Sequence, residues 1–301
     1  MAAPKKAPRK PPEAKKKEAD EEETLPATVA NELQSFQGGV PAGLDDMEED
    51  AGGGLEEVGI RDQEIPFIKI AASLSPQVQK VEPNYIEGLE VGMIFNQSTE
   101  QFWDGDEGIF VVPVGYQKQW IEWPLERKKG GFPVHIYDAD EGERLEKQCT
   151  RNDKNKLVMP DGETILEETA VHFVFFRPVS GDGAWNHAVI PMASTQLKKS
   201  RKWITKLMNV RLERKDGAGT YNPASYATAW KLTTQPEQNE KGNWFGWVIE
   251  GVGMVSDPDL YSTVREFAHR VRRGEVEVKY RDDAVGDGDE IEEADFEEAT
   301  S

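Results

Sequence analysis

From Glu64 to Val255 the chain is a succession of short runs rich in Val, Ile, Phe and Trp, each closed off by Gly, Pro, Asn or Asp. Runs of that composition suit strands, because branched and aromatic side chains pack well on a pleated surface and the bounding residues turn the chain. The predicted strands are Met93–Phe95, Gly108–Tyr116, Lys118–Trp123, Phe132–Tyr137, Ala170–Arg177, Trp185–Met192, Tyr226–Thr234 and Trp244–Val255. Order is expected to begin at Glu64-Ile-Pro-Phe-Ile-Lys-Ile-Ala71. Many short strands at close spacing favour a mainly β (α+β) fold, a barrel or small sandwich, over a parallel α/β sheet.

Two or three helices are expected to pack on this framework. In Pro258–Gly274, Leu260, Val264, Phe267 and Val271 share one face; Asp257 suits the cap, Pro258 the first helical position and Gly274 the stop. In Ser194–Arg211 the predicted core face is Leu197, Ile204, Leu207 and Met208. Asp138-Ala-Asp-Glu-Gly-Glu143 reads as a solvated turn, with Asp138 and Asp140 as a weak candidate for a divalent ion.

Charge divides the chain into three parts. The whole carries −20, yet residues 1–59 hold seven bases and fourteen acids and residues 282–301 hold ten acids and no base, which leaves −3 on residues 60–281. The N-terminal arm, residues 1–62, is expected to be largely disordered, apart from a short helix over Leu25–Phe36. The C-terminal tail, residues 282–301, has Ile291 and Phe296 as isolated large apolar residues among its carboxylates, and is expected to be solvated. The body between them is the β-rich candidate for binding, and near-neutrality leaves room for a basic face. The single Cys149 excludes an internal disulfide framework and a cysteine-based zinc site. No apolar run is long enough to span a membrane.

Within the body the densest positive charge is Lys198, Lys199, Arg201, Lys202 and Lys206, followed by Arg211, Arg214 and Lys215, with no acid before Glu213. Helical spacing places several of these cations on one side, which suits a row of phosphates. Aromatic residues lie beside cations: Lys118 near Trp120, Lys202 before Trp203, Lys231 after Trp230. Aromatic faces that stack on bases, with cations that follow the backbone, hold single-stranded nucleic acid without base readout. Trp120 and Trp123 point to opposite faces of a strand, so one of them is expected to be exposed. Arg127, Lys128 and Lys129 form a basic loop just after them. The four histidines are scattered, and no phosphate loop, nucleophile elbow or His-Glu-x-x-His motif occurs, so neither enzymatic activity nor a metal or other cofactor is expected.

An aromatic, strand-rich body followed by an acidic tail with an embedded aromatic resembles the single-stranded DNA-binding proteins of tailed bacteriophages. Ile65-Pro-Phe-Ile-Lys-Ile70, Leu74-Ser-Pro-Gln-Val78, Val111-Val-Pro-Val114 and Ser194-Thr-Gln-Leu-Lys-Lys-Ser-Arg-Lys-Trp203 also resemble a family of phage-encoded proteins. The first resemblance implies an OB-like barrel that coats single strands during phage replication and recombination, in the cytoplasm of the infected bacterial host. The binding residues would be Lys198, Lys199, Arg201, Lys202, Trp203, Lys206, Trp120, Trp123, Arg127, Lys128, Lys129 and Trp230. It further implies that Asp289, Glu290, Glu292, Glu293, Asp295 and Phe296 recruit replisome proteins such as DNA polymerase, and that the tail competes with DNA; a homodimer is compatible with this scheme. Here Phe296 is followed by five further residues, whereas in those families the aromatic lies at or next to the C-terminus. The rival reading is a structural or scaffold-like phage assembly protein that binds no nucleic acid.

Overall fold

The structure, a computed structural model, describes residues 53–58, 64–125, 132–180, 183–239, 242–276, 278 and 280. The chain forms two compact units, residues 1–58 and 59–301. In the first, the described residues make a turn in which the Val58 N–H donates to the Leu55 carbonyl at 3.1 Å. The rest of the arm, including Leu25–Phe36, and the acidic tail lie outside the described residues.

The second unit opens with a small antiparallel sheet of β1 (Ile68–Ile70), β2 (Ile94–Asn96) and β3 (Phe102–Trp103). The main sheet is built on two long strands, β4 (Ile109–Pro124) and β8 (Thr164–Pro178), which pair antiparallel along their whole length. Between them the chain makes β5 (His135–Tyr137), α1 (Ala139–Glu146), β6 (Thr150–Arg151) and β7 (Leu157–Val158). After β8 come β9 (Asn186–Ala193), a 3-10 turn and α2 (Leu197–Asn209). A small hairpin, β10 (Leu212–Glu213) and β11 (Thr220–Tyr221), leads to the long hairpin β12 (Thr228–Asn239) and β13 (Gly242–Met254), and α3 (Pro258–Arg272) closes the unit. The strand order is β13-β12-β4-β8-β7-β6, with β5 also on β4 and β9 also on β8. The fold is mainly β, as the short aromatic and aliphatic runs predict, and its sheet curls into a half-barrel.

Both faces of this sheet are covered. On one, Val112, Val171, Phe173, Phe175 and Val189 pack with Val264, Phe267 and Val271 of α3. On the other, Ile109, Val111, Val174, Phe176, Ile190 and Met192 pack with Trp203 of α2 and with Trp230 and Trp247 of the long hairpin. Double coverage explains why Ala170–Phe176 is nearly continuous in apolar residues rather than alternating. Gly108–Tyr116 and Lys118–Trp123, predicted as two strands, are one strand, interrupted by a bulge between Pro113 and Gly115. The extra residue swaps the faces. Even-numbered Val112 precedes it on the α3 side, and odd-numbered Ile121 and Trp123 follow on that same side.

The helices follow local signals to different degrees. Asp257 caps α3, accepting from the N–H groups of Asp259 (2.9 Å) and Leu260 (3.2 Å), as its sequence predicts. α2 is shorter than predicted because residues 194–196 form the 3-10 turn. Its buried line is Ser200 and Trp203, and Met208, expected in the core, is 64 % exposed. The helix's line of contact passes through Leu197, Ser200, Trp203 and Leu207; Met208 stands five residues, about 140° round the helix, from Trp203 and so points to solvent. α1 replaces the solvated turn: Asp138 accepts from the Glu141 N–H at 2.8 Å and is the N-cap. Gly142 is needed there, since a Cβ would stand 2.0 Å from the Trp120 ring.

Candidate nucleic-acid interface

The 3-10 turn and α2 lie against the outer edge of the long hairpin. An edge strand leaves alternate backbone groups unpaired, which invites pairing with another chain. Here Gln196 takes the place of a neighbouring strand: its amide donates to the Phe245 carbonyl (3.0 Å) and its carbonyl accepts the Trp247 N–H (3.2 Å). Lys206 continues the seal, donating to the Ile249 carbonyl at 2.5 Å while its ammonium lies 6.0 Å from the Trp230 ring centroid.

Two other cations of α2 are tied to the sheet. Lys199 pairs with Glu237 of β12. Burial alone would raise the Glu237 carboxyl, but hydrogen bonds from Lys199, Gln235 and Trp244 hold it below its ordinary value. Arg201 forms a two-pronged contact with Glu168 of β8, at 2.9 and 3.1 Å, yet leaves most of its own side chain in solvent. Glu168 also lies 3.8 Å from Lys118, and Lys118 bonds Glu143 of α1 at 2.7 Å. The polar chain from α2 to α1 thus crosses the sheet through Glu168 and Lys118.

Lys198 and Lys202 differ from these. Both are exposed, one helical turn apart, and neither meets a carboxylate among the described residues. With Arg201 beside them they make the solvent side of α2 cationic. The five cations that the sequence groups together therefore separate into two free ones, one half-engaged and two that fasten the helix.

The tryptophans expected to stack on bases are core residues. Trp203 is fully buried, its ring 4.7 Å from His172 and edge-on to Trp230 at 6.2 Å. Trp230 is 5 % exposed and donates to the Thr228 hydroxyl at 2.8 Å. Trp120 and Trp123 do face opposite sides of β4, but both are buried, because each side carries a cover. Trp120 sits beneath α1, and Trp123 lies in the α3-side core with its indole N–H 3.1 Å from Glu167. The inference that one of the pair must be exposed assumes a sheet with a bare face, and this one has none. Arg127, Lys128 and Lys129, and the tail residues Asp289, Glu290, Glu292, Glu293, Asp295 and Phe296, lie outside the described residues.

Beneath α2 is one ionisable group that the sequence does not single out. His172 lies 2.8 Å from the Ser200 hydroxyl through Nε2, and burial pushes its pKa down to about 3, so the imidazole is neutral. Ser200 is 1 % exposed, so this pair joins helix to sheet and has no access to a substrate. Asp138 and Asp140 belong to the cap and first turn of α1. Among the described residues no three His, Cys, Asp or Glu side chains are grouped to hold a metal ion.

A further exposed feature follows α2 directly. Asn222 donates to the carbonyls of Leu207 and Val210, each at 2.9 Å, and anchors the β10–β11 hairpin on the end of the helix. On that hairpin Arg214 lies 5.8 Å from the ring centroid of Tyr221, which is 41 % exposed. Sequence reasoning passed over Tyr221 because it stands alone among Thr, Asn and Gly. The available signal was the run of bases that leads into it.

A curled, doubly covered β-sheet with a cationic helix along one edge defines the class: a mainly β protein with a basic ridge. The family model described as Pam3 phage gp34-like protein matches residues 31–277, and the chain belongs to this family of phage proteins. The matched span includes α2 and the hairpin and stops short of the acidic tail. No curated protein and no solved structure matches the chain. Among the described residues no helix is long and apolar enough to cross a membrane.

Proposed function

We propose that this chain is a non-catalytic single-stranded DNA-binding protein of phage replication and recombination. The observation that carries the reading is the solvent side of α2, where Lys198 and Lys202 are exposed without carboxylate partners among the described residues and no acid occurs anywhere on the helix. Cations so placed release counterions when they meet phosphates, and that release drives sequence-independent affinity. Arg201 adds a third donor, since its exposed guanidinium can exchange Glu168 for a phosphate. Lys199 and Lys206 have a different part: they hold the helix on the long hairpin so that the ridge keeps its shape.

The tail supplies regulation in this reading. Residues 282–301 carry ten carboxylates and no base, and tethering keeps them at high local concentration beside the body. They compete with phosphates for the ridge and offer replisome proteins an acidic segment with Phe296 as an apolar anchor. Titrating a fluorescent oligo(dT) at about 50 mM salt tests this. The full chain binds, and removal of residues 282–301 tightens binding; unchanged or weaker affinity in the shortened chain contradicts tail competition.

A further inference from the structure

We infer that the β10–β11 hairpin is a second contact for single-stranded nucleic acid, with Tyr221 as the ring on which a base stacks. This rests on the reading of α2 as the phosphate-binding ridge and extends it by one element. The buried tryptophans leave the ridge without an aromatic platform, and sequence-tolerant binding to single strands ordinarily combines cations with such a platform. Tyr221 meets three requirements. It is 41 % exposed, it belongs to none of the hydrophobic clusters, and a cation already lies against its ring, Arg214 at 5.8 Å.

The position of the ring is fixed. Leu212 pairs with Tyr221 and Glu213 with Thr220, and the turn between the strands closes with the Arg214 N–H on the Gly219 carbonyl at 2.9 Å. Gly217 and Gly219 take φ of +72° and +95°, which the tight turn requires. Asn222 then holds the base of the hairpin to the last carbonyls of α2. A strand that runs along Lys198 and Lys202 toward the C-terminal end of α2 therefore comes toward the hairpin and Tyr221, with Arg214 beside the ring. The other half-exposed tyrosine, Tyr116, is less suited. Its ring packs on His172 at 5.3 Å, and the Glu168 carboxylate close to it repels phosphate.

Anisotropy of a labelled oligo(dT), measured over a range of salt with the full chain, tests the assignment. Tyr221→Ala should weaken binding roughly tenfold and leave the salt slope unchanged, because a stacking contact releases no counterions. Tyr221→Phe should keep native affinity, and both variants should unfold at the native temperature. Native affinity in Tyr221→Ala overturns the assignment and leaves the ridge standing, as does an equal loss in Tyr221→Phe, which would implicate the hydroxyl. No binding by the native chain overturns the ridge itself, and the assignment with it.

Discussion

Each face of the main sheet carries one long helix, α3 on one and α2 on the other, yet the helices are built to different ends. α3 carries three arginines and two acids, with Glu266 and Arg270 paired at 3.1 Å along the helix, so its surface charge is largely balanced where it stands. α2 carries five bases and no acid, and draws its counter-charges from strands. Beneath α3 the contacts are mainly apolar: Val264, Phe267 and Val271 against Val112, Phe173 and Phe175, with the half-buried His187 ring 5.3 Å from Phe267. Beneath α2 polar groups are buried too, with His172 bonded to Ser200. A self-balanced helix over an apolar floor needs nothing further. A helix whose charge is only partly met, held by placed polar contacts, is the surface proposed above to meet a partner.

The largest test of this contrast concerns what holds α2. Trp203→Ala removes a fully buried ring between β8 and the long hairpin, and should cost about 3–5 kcal/mol in urea denaturation. A loss below about 1 kcal/mol would mean that the helix is fastened by its charges alone, against the usual cost of such a cavity.

His172, buried beneath α2, predicts a pH dependence that adds to the weaker one expected on the α3 side, where burial also lowers the pKa of the half-buried His187. The folded pKa of His172, about 3, lies below its unfolded value. The unfolded chain therefore binds the proton more readily, and stability falls as pH drops from the ordinary histidine range toward about 3. His172→Phe combined with Ser200→Ala, which removes both polar partners, should flatten that part of the melting-temperature profile. An unchanged profile would place the acid sensitivity elsewhere.

A smaller effect is expected at the sealed edge. Gln196→Ala removes two hydrogen bonds to β13 and should cost about 1–2 kcal/mol. It should also speed amide exchange at Trp247. Native exchange there would show that the carboxamide does not protect the edge.

Much of the fold is legible in the sequence, because strand composition, the Asp257 cap and the Pro258 start are local signals. The grouping of cations on α2 is legible for the same reason. Their division is not, since Glu168 and Glu237 lie on strands distant in sequence and only the folded sheet brings them to Arg201 and Lys199. The tryptophans mislead because residues on opposite sides of a strand are both buried once each side has a cover, and α1, the cover of Trp120, hides behind Gly142 in a charged segment. The spacing of Asp138 and Glu141 was the usable sign of that helix. Met208 shows the limit of helical periodicity: the contact line runs through Trp203, about 140° round the helix from Met208, and leaves that residue of the predicted face in solvent.

The central claim is that the free cations of α2, and not the balanced charge of α3, meet the nucleic acid. The most direct measurement is the salt dependence of oligo(dT) binding for Lys198→Glu with Lys202→Glu, set beside Arg265→Glu with Arg272→Glu. The first pair should lower the slope of log affinity against log salt by at least about 1.4, the share of two phosphate contacts on a single strand, while the second pair leaves it at the native value. A native slope in the α2 variant, or an equal loss in the α3 variant, would contradict the account.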